Sequence, residues 1–139
     1  MTINIKGNLL NFSVPKIMGI LNVTPDSFFD GGKYSTSSKI LKQVEKMIKS
    51  GADIIDIGGY SSRPGAADIS VDEELKRVIP IVELVRKQFP SALISIDTFR
   101  SKVAYESIIS GADLTSFSSR NILGRGRQIA SSLVIFLQF

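Results

Sequence analysis

Apolar residues occur along the chain in short runs, and polar residues directly follow three of these runs. The strands that these runs predict cover residues 16–21, 53–57 and 93–96, and the polar residues after them include Asn22 and Asp97. Short apolar runs with polar residues at the carboxyl end are typical of buried parallel strands that lead into ligand-binding loops. The pattern therefore predicts three parallel strands, and we expect the functional site where their carboxyl ends meet.

Between these runs the apolar spacing is that of amphipathic helices. It predicts one helix from about residue 36 to residue 49, and a second after Ser70, whose spacing from Glu73 is that of a capping box. A third helix is predicted from about residue 102 to residue 110, with Ser101 as its N-cap. Strands and helices are therefore predicted to alternate along the chain.

A short internal repeat supports this alternation. The tripeptide Gly-Ala-Asp occurs at residues 51–53 and again at residues 111–113, each time between the end of a predicted helix and the start of a strand. Strand–helix–strand units with right-handed crossovers give a parallel sheet. Residues 2–12 alternate between apolar and polar and are predicted to form a small hairpin ahead of this sheet.

Two α/β architectures fit these elements, an open doubly wound sheet and a (β/α)₈ barrel. The length of 139 residues favours the open sheet, because a complete barrel needs about 250 residues. The loop after the first strand disfavours it, because no G-x-G-x-x-G motif follows that strand. The residues alone leave both architectures open.

Composition and charge narrow the function classes. The chain has no cysteine, which excludes a disulfide framework and thiolate chemistry, and it has no apolar run of membrane-spanning length or visible secretory signal. We therefore expect a cytoplasmic protein that does not associate with membranes. The net charge of +4 arises mostly in the last 25 residues, which contain Arg120, Arg125 and Arg127 but no acid. Because the rest of the chain has no compact basic face, nucleic-acid binding is not expected.

The sequence changes character after Leu114. Lysine and acidic residues are absent from there to the end, serine becomes frequent, and the last residues are apolar. One interpretation is a polar loop followed by a last edge strand. The interpretation we favour is that the sequence departs from that of a parent protein near residue 115, which divides the chain into residues 1–114 and an atypical tail, residues 115–139.

Four polar residues are candidates for chemistry. Asn22 offers a neutral carbonyl oxygen at the end of the first strand, and Asp97 ends an apolar strand, where an ionised carboxylate needs partners. Arg63 lies on a loop bounded by glycines and has a planar fork of donors suited to carboxylate or phosphate. Asp56 lies within an apolar strand and points either into a barrel or toward the helices. Capping of a turn or helix is the alternative role for Asn22 and Asp97.

Three motifs in this order and spacing strongly resemble those of the dihydropteroate synthase family. They are MGILNVTPDSF from Met18 to Phe28, DIGG at 56–59 with SSRPG at 61–65, and SIDT at 95–98. The resemblance covers about residues 14–114. It implies the first three to four βα units of a (β/α)₈ TIM barrel, preceded by the hairpin. It also implies an enzyme of folate synthesis that condenses 6-hydroxymethyl-7,8-dihydropterin diphosphate with 4-aminobenzoate, releasing diphosphate with Mg²⁺ assistance, and that is a sulfonamide target.

The resemblance also implies roles for single residues. Asn22 would contact Mg²⁺ and the diphosphate, and Asp97 would bind ring N–H groups of the pterin. Asp56 would belong to the pterin site, with a structural hydrogen bond as the alternative.

The two substrate loops would carry the remaining sites. Ser62 and Arg63 would contact substrate, Phe28 and Pro64 would form walls of the aminobenzoate site, and Asp30 would stabilise the cationic carbon. Arg63 and Asp30 are thus the implied catalytic residues, and plain packing is the alternative for Phe28.

Departures from the family pattern leave other functions open. Ser116 and Phe117 stand where the family has Asn-Asp, and the later Asp, Lys and Arg-x-His of the family have no counterpart in this histidine-free chain. This chain alone is therefore expected to be an incomplete enzyme, although the full-length parent would be a homodimer. The alternatives are a pterin-binding methyltransferase domain acting on methyltetrahydrofolate, and a non-catalytic pterin-binding remnant.

Overall fold

The computed structural model describes residues 2–5, 7–24, 33–61, 68–116 and 134–137. An antiparallel hairpin, turned by Gly7 at φ +88°, precedes a parallel sheet with helices between its strands. The elements in chain order are β1 (Thr2–Ile5), β2 (Asn8–Asn11), β3 (Lys16–Asn22), α1 (Lys33–Lys49), β4 (Ile54–Gly58), α2 (Val71–Gln88), β5 (Leu93–Asp97), α3 (Ser101–Ile109), β6 (Leu114–Ser116) and β7 (Val134–Leu137). The predicted hairpin and alternation of strand and helix are confirmed.

The parallel sheet has the strand order β6-β5-β4-β3-β7. The three predicted strands form its centre, and each continues one residue past its predicted end, so that Asn22, Gly58 and Asp97 are the last residues of β3, β4 and β5. These three residues are partners in the strand ladder, Asn22 with Gly58 and Gly58 with Asp97. Backbone pairing therefore continues through the polar residues, because a polar side chain does not remove a backbone donor or acceptor.

Both edges of the sheet reach into the region where the sequence changes character. β6 pairs with β5 and spans the predicted boundary at residue 114. β7 lies within the tail and pairs in parallel with the first residues of β3, from Lys16 to Gly19. A last edge strand is therefore present, and the division of the chain near residue 115 stays a prediction.

The helices pack on one face of the sheet. The buried core joins Leu21, Ile55, Ile57, Ile94 and Ile96 of the strands to apolar side chains of the helices. The helix residues of this core are Ile40, Val44 and Met47 of α1 and Val78, Val82 and Val85 of α2. Since successive side chains of a strand point to opposite faces, the residues between these strand residues point away from the helices. No helix within the described ranges is both long and apolar enough to span a membrane.

The two copies of the Gly-Ala-Asp repeat make the same contacts between a helix end and a neighbouring strand. In the first copy the Asp53 carboxylate accepts the backbone N–H of Ile17 at 2.9 Å, and in the second the Asp113 carboxylate accepts that of Ile94 at 2.9 Å. The glycine two residues before each aspartate has a positive φ, 99° and 123°, which ends the preceding helix. Each copy therefore ends a helix and binds the second residue of a neighbouring strand.

The helix ends differ in part from the prediction. α1 begins three residues earlier than expected, at Lys33, whereas α2 follows Ser70, whose hydroxyl accepts the Glu73 N–H at 3.1 Å as predicted. The prediction that Ser101 is the N-cap of α3 is wrong: Ser101 is the first helical residue, and Arg100 occupies the N-cap position without a side-chain cap bond. The Arg100 N–H instead binds the Thr98 hydroxyl at 3.2 Å.

Arg86 of α2 joins three segments of the chain. Its Nε and Nη2 atoms donate to the Gly111 carbonyl at 3.0 and 2.9 Å, and Nη1 donates to the carbonyls of Pro90 and Ala92 at 2.7 and 2.9 Å. Nη2 also donates to the Asp113 carboxylate at 2.6 Å. All five N–H donors of a guanidinium group are therefore used here, which fixes the end of α2 to the segments before β5 and β6.

Candidate functional site

Four residues lie side by side at the carboxyl ends of four strands. They are Asn22, Gly58, Asp97 and Ser116, which are successive partners across β3, β4, β5 and β6. A Cβ atom added to Gly58 would lie 3.7 Å from Asn22 Oδ1 and 3.9 Å from Asp97 Oδ2. The amide oxygen and the carboxylate oxygen thus approach the same space above Gly58 from its two sides. We call these four residues the strand-end row.

Asp56 lies two residues before Gly58 in β4, and therefore on the same face of the sheet as the strand-end row. Its neighbours in β4, Ile55 and Ile57, belong to the core against the helices, so Asp56 points to the opposite face. It is 4% exposed, and its Oδ1 atom accepts the Ser116 hydroxyl at 2.7 Å. Asp56 is therefore directed to the face of the sheet that points away from the helices, and one of its oxygen atoms is hydrogen-bonded to Ser116 of the strand-end row.

Ser95 is the register partner of Asp56 on β5. It is fully buried, and its hydroxyl oxygen has no partner at hydrogen-bond geometry. It nevertheless lies close enough to the Asp56 carboxylate to favour the charged form. Ser95 is therefore a second hydroxyl group beside the Asp56 carboxylate on this face of the sheet.

The pKa of Asp56 is raised above its ordinary value of 3.8. Burial is the main cause, because it disfavours the charged carboxylate, and the negative charge of Asp97 acts in the same direction. The hydroxyls of Ser95 and Ser116 oppose the shift by favouring the charged form. Asp56 therefore loses its proton at a higher pH than an ordinary aspartic acid does.

We expect the free energy of unfolding of an Asp56→Asn variant, relative to that of the unmodified chain, to be higher at about pH 7 than at about pH 4. A carboxyl group whose pKa rises on folding contributes stability below its unfolded value of 3.8, and this contribution is lost as the pH rises through the folded pKa. Asparagine does not titrate, so the free energy of unfolding of the variant, relative to the unmodified chain, should increase with pH. Urea unfolding of both proteins at several pH values measures this difference. A difference that falls with pH contradicts the assignment.

A second cluster lies behind Asp97, against α2. Glu74 is fully buried, and its two carboxylate oxygens accept the Thr98 hydroxyl at 2.8 Å and Arg100 Nη1 at 2.7 Å. Arg100 also donates to the Ile69 carbonyl and to the Asp68 carboxylate, the latter at 3.3 Å. The positive charge of Arg100 is therefore paired with acidic groups of the protein.

The same guanidinium group lies over two aromatic rings. Its central carbon is 5.4 Å from the ring centroid of Tyr60 and 5.0 Å from that of Phe99. The two rings meet edge to face, with centroids 5.3 Å apart. Such cation–π and edge-to-face contacts are attractive, so they add to the ion pairs that hold Arg100 in place.

The structure brings together three of the predicted site residues, Asn22, Asp56 and Asp97. Asp97 precedes the N-cap position of α3 by three residues, so it does not occupy that position. The other predicted site residues lie outside the described residues. They are Phe28, Asp30, Ser62, Arg63 and Pro64.

Several polar residues of the site were not singled out from the sequence. Ser95 lies two residues before Asp97 on the same strand and therefore on the same face, which was a usable signal. Glu74 lies four and eight residues before Val78 and Val82, in phase with the buried stripe of α2. A carboxylate in such a stripe indicates a buried partner, which here includes Arg100.

Acidic side chains do not by themselves form a metal site in the described part of the chain. No group of three or more His, Cys, Asp or Glu residues there could hold a metal ion. The amide oxygen of Asn22 is a different kind of ligand. Because Mg²⁺ binds proteins through few side chains and completes its coordination with water and phosphate oxygens, Asn22 with a bound diphosphate would suit it.

Helices on one face of a parallel sheet define an α/β protein, a class in which ligands commonly bind at the carboxyl ends of the strands. The sequence profile of the family described as pterin binding enzyme matches residues 18–116. The chain therefore belongs to the pterin-binding enzyme family.

Curated relatives support the same assignment. Dihydropteroate synthase of Escherichia coli K12 is 50% identical over 109 residues, which are 78% of this chain and 38% of that protein. A folic acid synthesis protein of Pneumocystis carinii is 56% identical over 100 residues, 72% of this chain and 13% of that protein. The chain thus spans less than two fifths of these relatives, and the resemblance of its three motifs to the dihydropteroate synthase family is confirmed.

Solved structures agree on the fold. The dihydropteroate synthase of Vibrio fischeri ES114 has a TM-score of 0.72 at 48% identity, over 84% of this chain and 42% of that one. A structure of the Xanthomonas albilineans enzyme with 4-aminobenzoic acid has a TM-score of 0.74 at 40% identity, over 84% of this chain and 43% of that one. The (β/α)₈ barrel rather than the open sheet is confirmed, and the chain covers part of it.

Proposed function

We propose that this chain is the amino-terminal, pterin-binding part of a dihydropteroate synthase. The reaction would join 6-hydroxymethyl-7,8-dihydropterin diphosphate to 4-aminobenzoate, giving 7,8-dihydropteroate and diphosphate. The observation that carries the proposal is the approach of Asn22 and Asp97 from the two sides of Gly58. Family membership and the names of the relatives support the same reaction.

The polar groups of the site suit the two ends of such a substrate. The Asp97 carboxylate accepts hydrogen bonds, and pterin rings present N–H donors. Asn22 lies at the exposed end of β3, where its side chain could meet the diphosphate. Asp56, with Ser95 and Ser116, supplies further polar contacts deeper on the same face.

Orientation is the chief contribution of these residues to the reaction. Breaking the bond between the pterin methylene carbon and the diphosphate builds positive charge on the carbon and negative charge on the leaving oxygens. Held by Asp97, the ring would keep this carbon in one place, and preorganised contacts of this kind lower the barrier. Asn22 would hold the leaving group, and a bound Mg²⁺ would neutralise charge on its oxygens.

The loop residues complete the proposal as predictions from the sequence. Asp30 and Arg63 would act on the reacting groups, and the walls of the aminobenzoate site would come from Phe28 and Pro64. Ser62 would contribute a hydroxyl beside Arg63. A solved structure of the Xanthomonas albilineans enzyme contains 4-aminobenzoic acid, which supports the proposal of an aminobenzoate site.

The chain by itself is proposed to bind pterin but to be a poor catalyst. It spans 38% of the Escherichia coli relative, and the family profile ends its match at residue 116. That end point also supports the proposal that residues 115–139 form an atypical tail. We further propose that the full-length parent is a cytoplasmic homodimer that binds neither nucleic acid nor membrane.

Isothermal titration with pterin diphosphate, with and without Mg²⁺, tests the function. We expect binding that Mg²⁺ strengthens, because the metal would join the diphosphate to Asn22. Binding that is independent of Mg²⁺ would instead support a non-catalytic pterin-binding remnant. The absence of binding under both conditions would contradict the proposed pterin site.

A further inference from the structure

The residue that follows Asp97 is held from several directions. Thr98 is 2% exposed, and its hydroxyl donates to Glu74 Oε1 at 2.8 Å. The same hydroxyl oxygen accepts the Arg100 N–H at 3.2 Å, and the Thr98 N–H donates to the Ser116 carbonyl at 3.4 Å. Contacts with α2, β6 and its own turn therefore fix the backbone directly after Asp97.

The buried carboxylate of Glu74 is the centre of these contacts. A carboxylate removed from water is strongly disfavoured unless donors satisfy its oxygen atoms. Here Thr98 supplies a donor to one oxygen, and Arg100 supplies a charged donor to the other at 2.7 Å. The Arg100 side chain is only 14% exposed, so little water competes for this ion pair.

The same turn of α2 also holds the end of β4. A Cβ atom on Gly59 would lie 2.6 Å from Val78 Cγ2 and 3.4 Å from Glu74 Cγ, so only glycine lets the strand end approach α2 this closely. Arg77 Nη1 donates to the Gly59 carbonyl at 3.2 Å. One helix turn therefore contacts the residue after Gly58 and the residue after Asp97, which are neighbours in the strand-end row.

We propose that Glu74, together with Thr98 and Arg100, positions the Asp97 carboxylate beside Gly58 and opposite Asn22. The identity of the ligand that Asp97 binds, the pterin ring, rests on the proposed function. The three residues act through Asp97 rather than on the substrate. Arg100 in particular has its donors on Glu74, Asp68 and backbone carbonyls, so its role is separate from binding the diphosphate.

The test compares two substitutions of Thr98 that differ in one hydroxyl group. Thr98→Val keeps the size of the side chain and removes the hydroxyl, whereas Thr98→Ser keeps the hydroxyl. NMR three-bond couplings about χ1 of Asp97, measured without ligand, report whether its carboxylate has one orientation. We expect values of a single rotamer in the unmodified chain and in Thr98→Ser, and averaged values in Thr98→Val. Affinity for pterin diphosphate should fall about tenfold in Thr98→Val alone, the equivalent of roughly one hydrogen bond.

Two further variants keep the comparison decisive. Arg100→Lys keeps the charge but loses the planar group that bonds Glu74 and the backbone carbonyls together, so we expect averaged Asp97 couplings in this variant too. It replaces Thr98→Val in the test if that variant does not fold. Glu83→Gln, an exposed charge change on the same helix, should leave the couplings unchanged.

Three results would overturn the proposal. The first is averaged Asp97 couplings in the unmodified chain. The second is a single Asp97 rotamer in both Thr98→Val and Arg100→Lys. The third is an equal loss of affinity for pterin diphosphate in Thr98→Val and Thr98→Ser. The Asp97 couplings could respond to the variants as expected although the chain does not bind pterin diphosphate. This result would support the positioning role and contradict the proposed function. The couplings and the titration therefore separate the two claims.

Discussion

Replacement of Asp97 by asparagine is expected to weaken the binding of 6-hydroxymethyl-7,8-dihydropterin diphosphate by roughly 100-fold. A hydrogen bond to a charged group contributes about 1.5–3 kcal/mol, and each 1.4 kcal/mol is about tenfold in affinity. Asparagine keeps one oxygen acceptor but loses the charge, and it turns an NH₂ donor toward the N–H groups of the ring. Isothermal titration of the variant and the unmodified chain measures the ratio.

The matched control for this substitution is Asp72→Asn. Asp72 lies on α2 with its side chain 78% exposed, so the same chemical change there should alter the affinity less than about twofold. An Asp97→Asn variant that binds as tightly as the control would show that Asp97 does not recognise the pterin.

Replacement of Arg86 by alanine is expected to lower the free energy of unfolding by about 3 kcal/mol, and replacement by lysine by about 2 kcal/mol. The alanine variant leaves the Asp113 carboxylate, whose side chain is 6% exposed, without its charged donor. Lysine restores a charge, but a single ammonium group cannot reach the carbonyls of Pro90, Ala92 and Gly111 together. Urea unfolding followed by circular dichroism measures both values.

Lys87→Ala provides the control for the Arg86 variants, because Lys87 is the next residue of α2 and is exposed. It should change the free energy of unfolding by less than about 0.5 kcal/mol. Equal stability of the Arg86→Ala and Lys87→Ala variants would contradict the structural role assigned to Arg86.

The strands could be predicted from the sequence because each is an apolar run bounded by polar or turn-forming residues. The approach of Asn22 and Asp97 followed from one rule, that the carboxyl ends of parallel strands lie at one edge of the sheet. The orientation of Asp56 did not follow. Its strand is buried on both faces, so Ile54, Ile55 and Ile57 are all apolar and give no alternation from which to assign a direction.

Tertiary contacts account for the features that local sequence patterns missed. Ser101 has the residue type of an N-cap, but Arg100, which is bound to Glu74 and to the segment before α2, occupies that position, so the helix begins at Ser101, one residue earlier than the cap rule implies. Glu74 likewise reads as an acidic residue in the first turn of a helix, where it is favourable at the surface. Its phase with the buried stripe of α2 indicates burial, but its partners, Thr98 and Arg100, are shown only by the structure.

An NMR titration of the isotope-labelled chain with 6-hydroxymethyl-7,8-dihydropterin diphosphate and Mg²⁺ tests the central claim most directly. If the strand-end row holds the pterin and its diphosphate, the backbone amides of Asn22, Gly58, Asp97 and Ser116 should show the largest shift changes, and those of the β1–β2 hairpin should stay unchanged. Shift changes that are absent from these four amides, or largest in the hairpin, would contradict the assignment of this edge of the sheet as the substrate site.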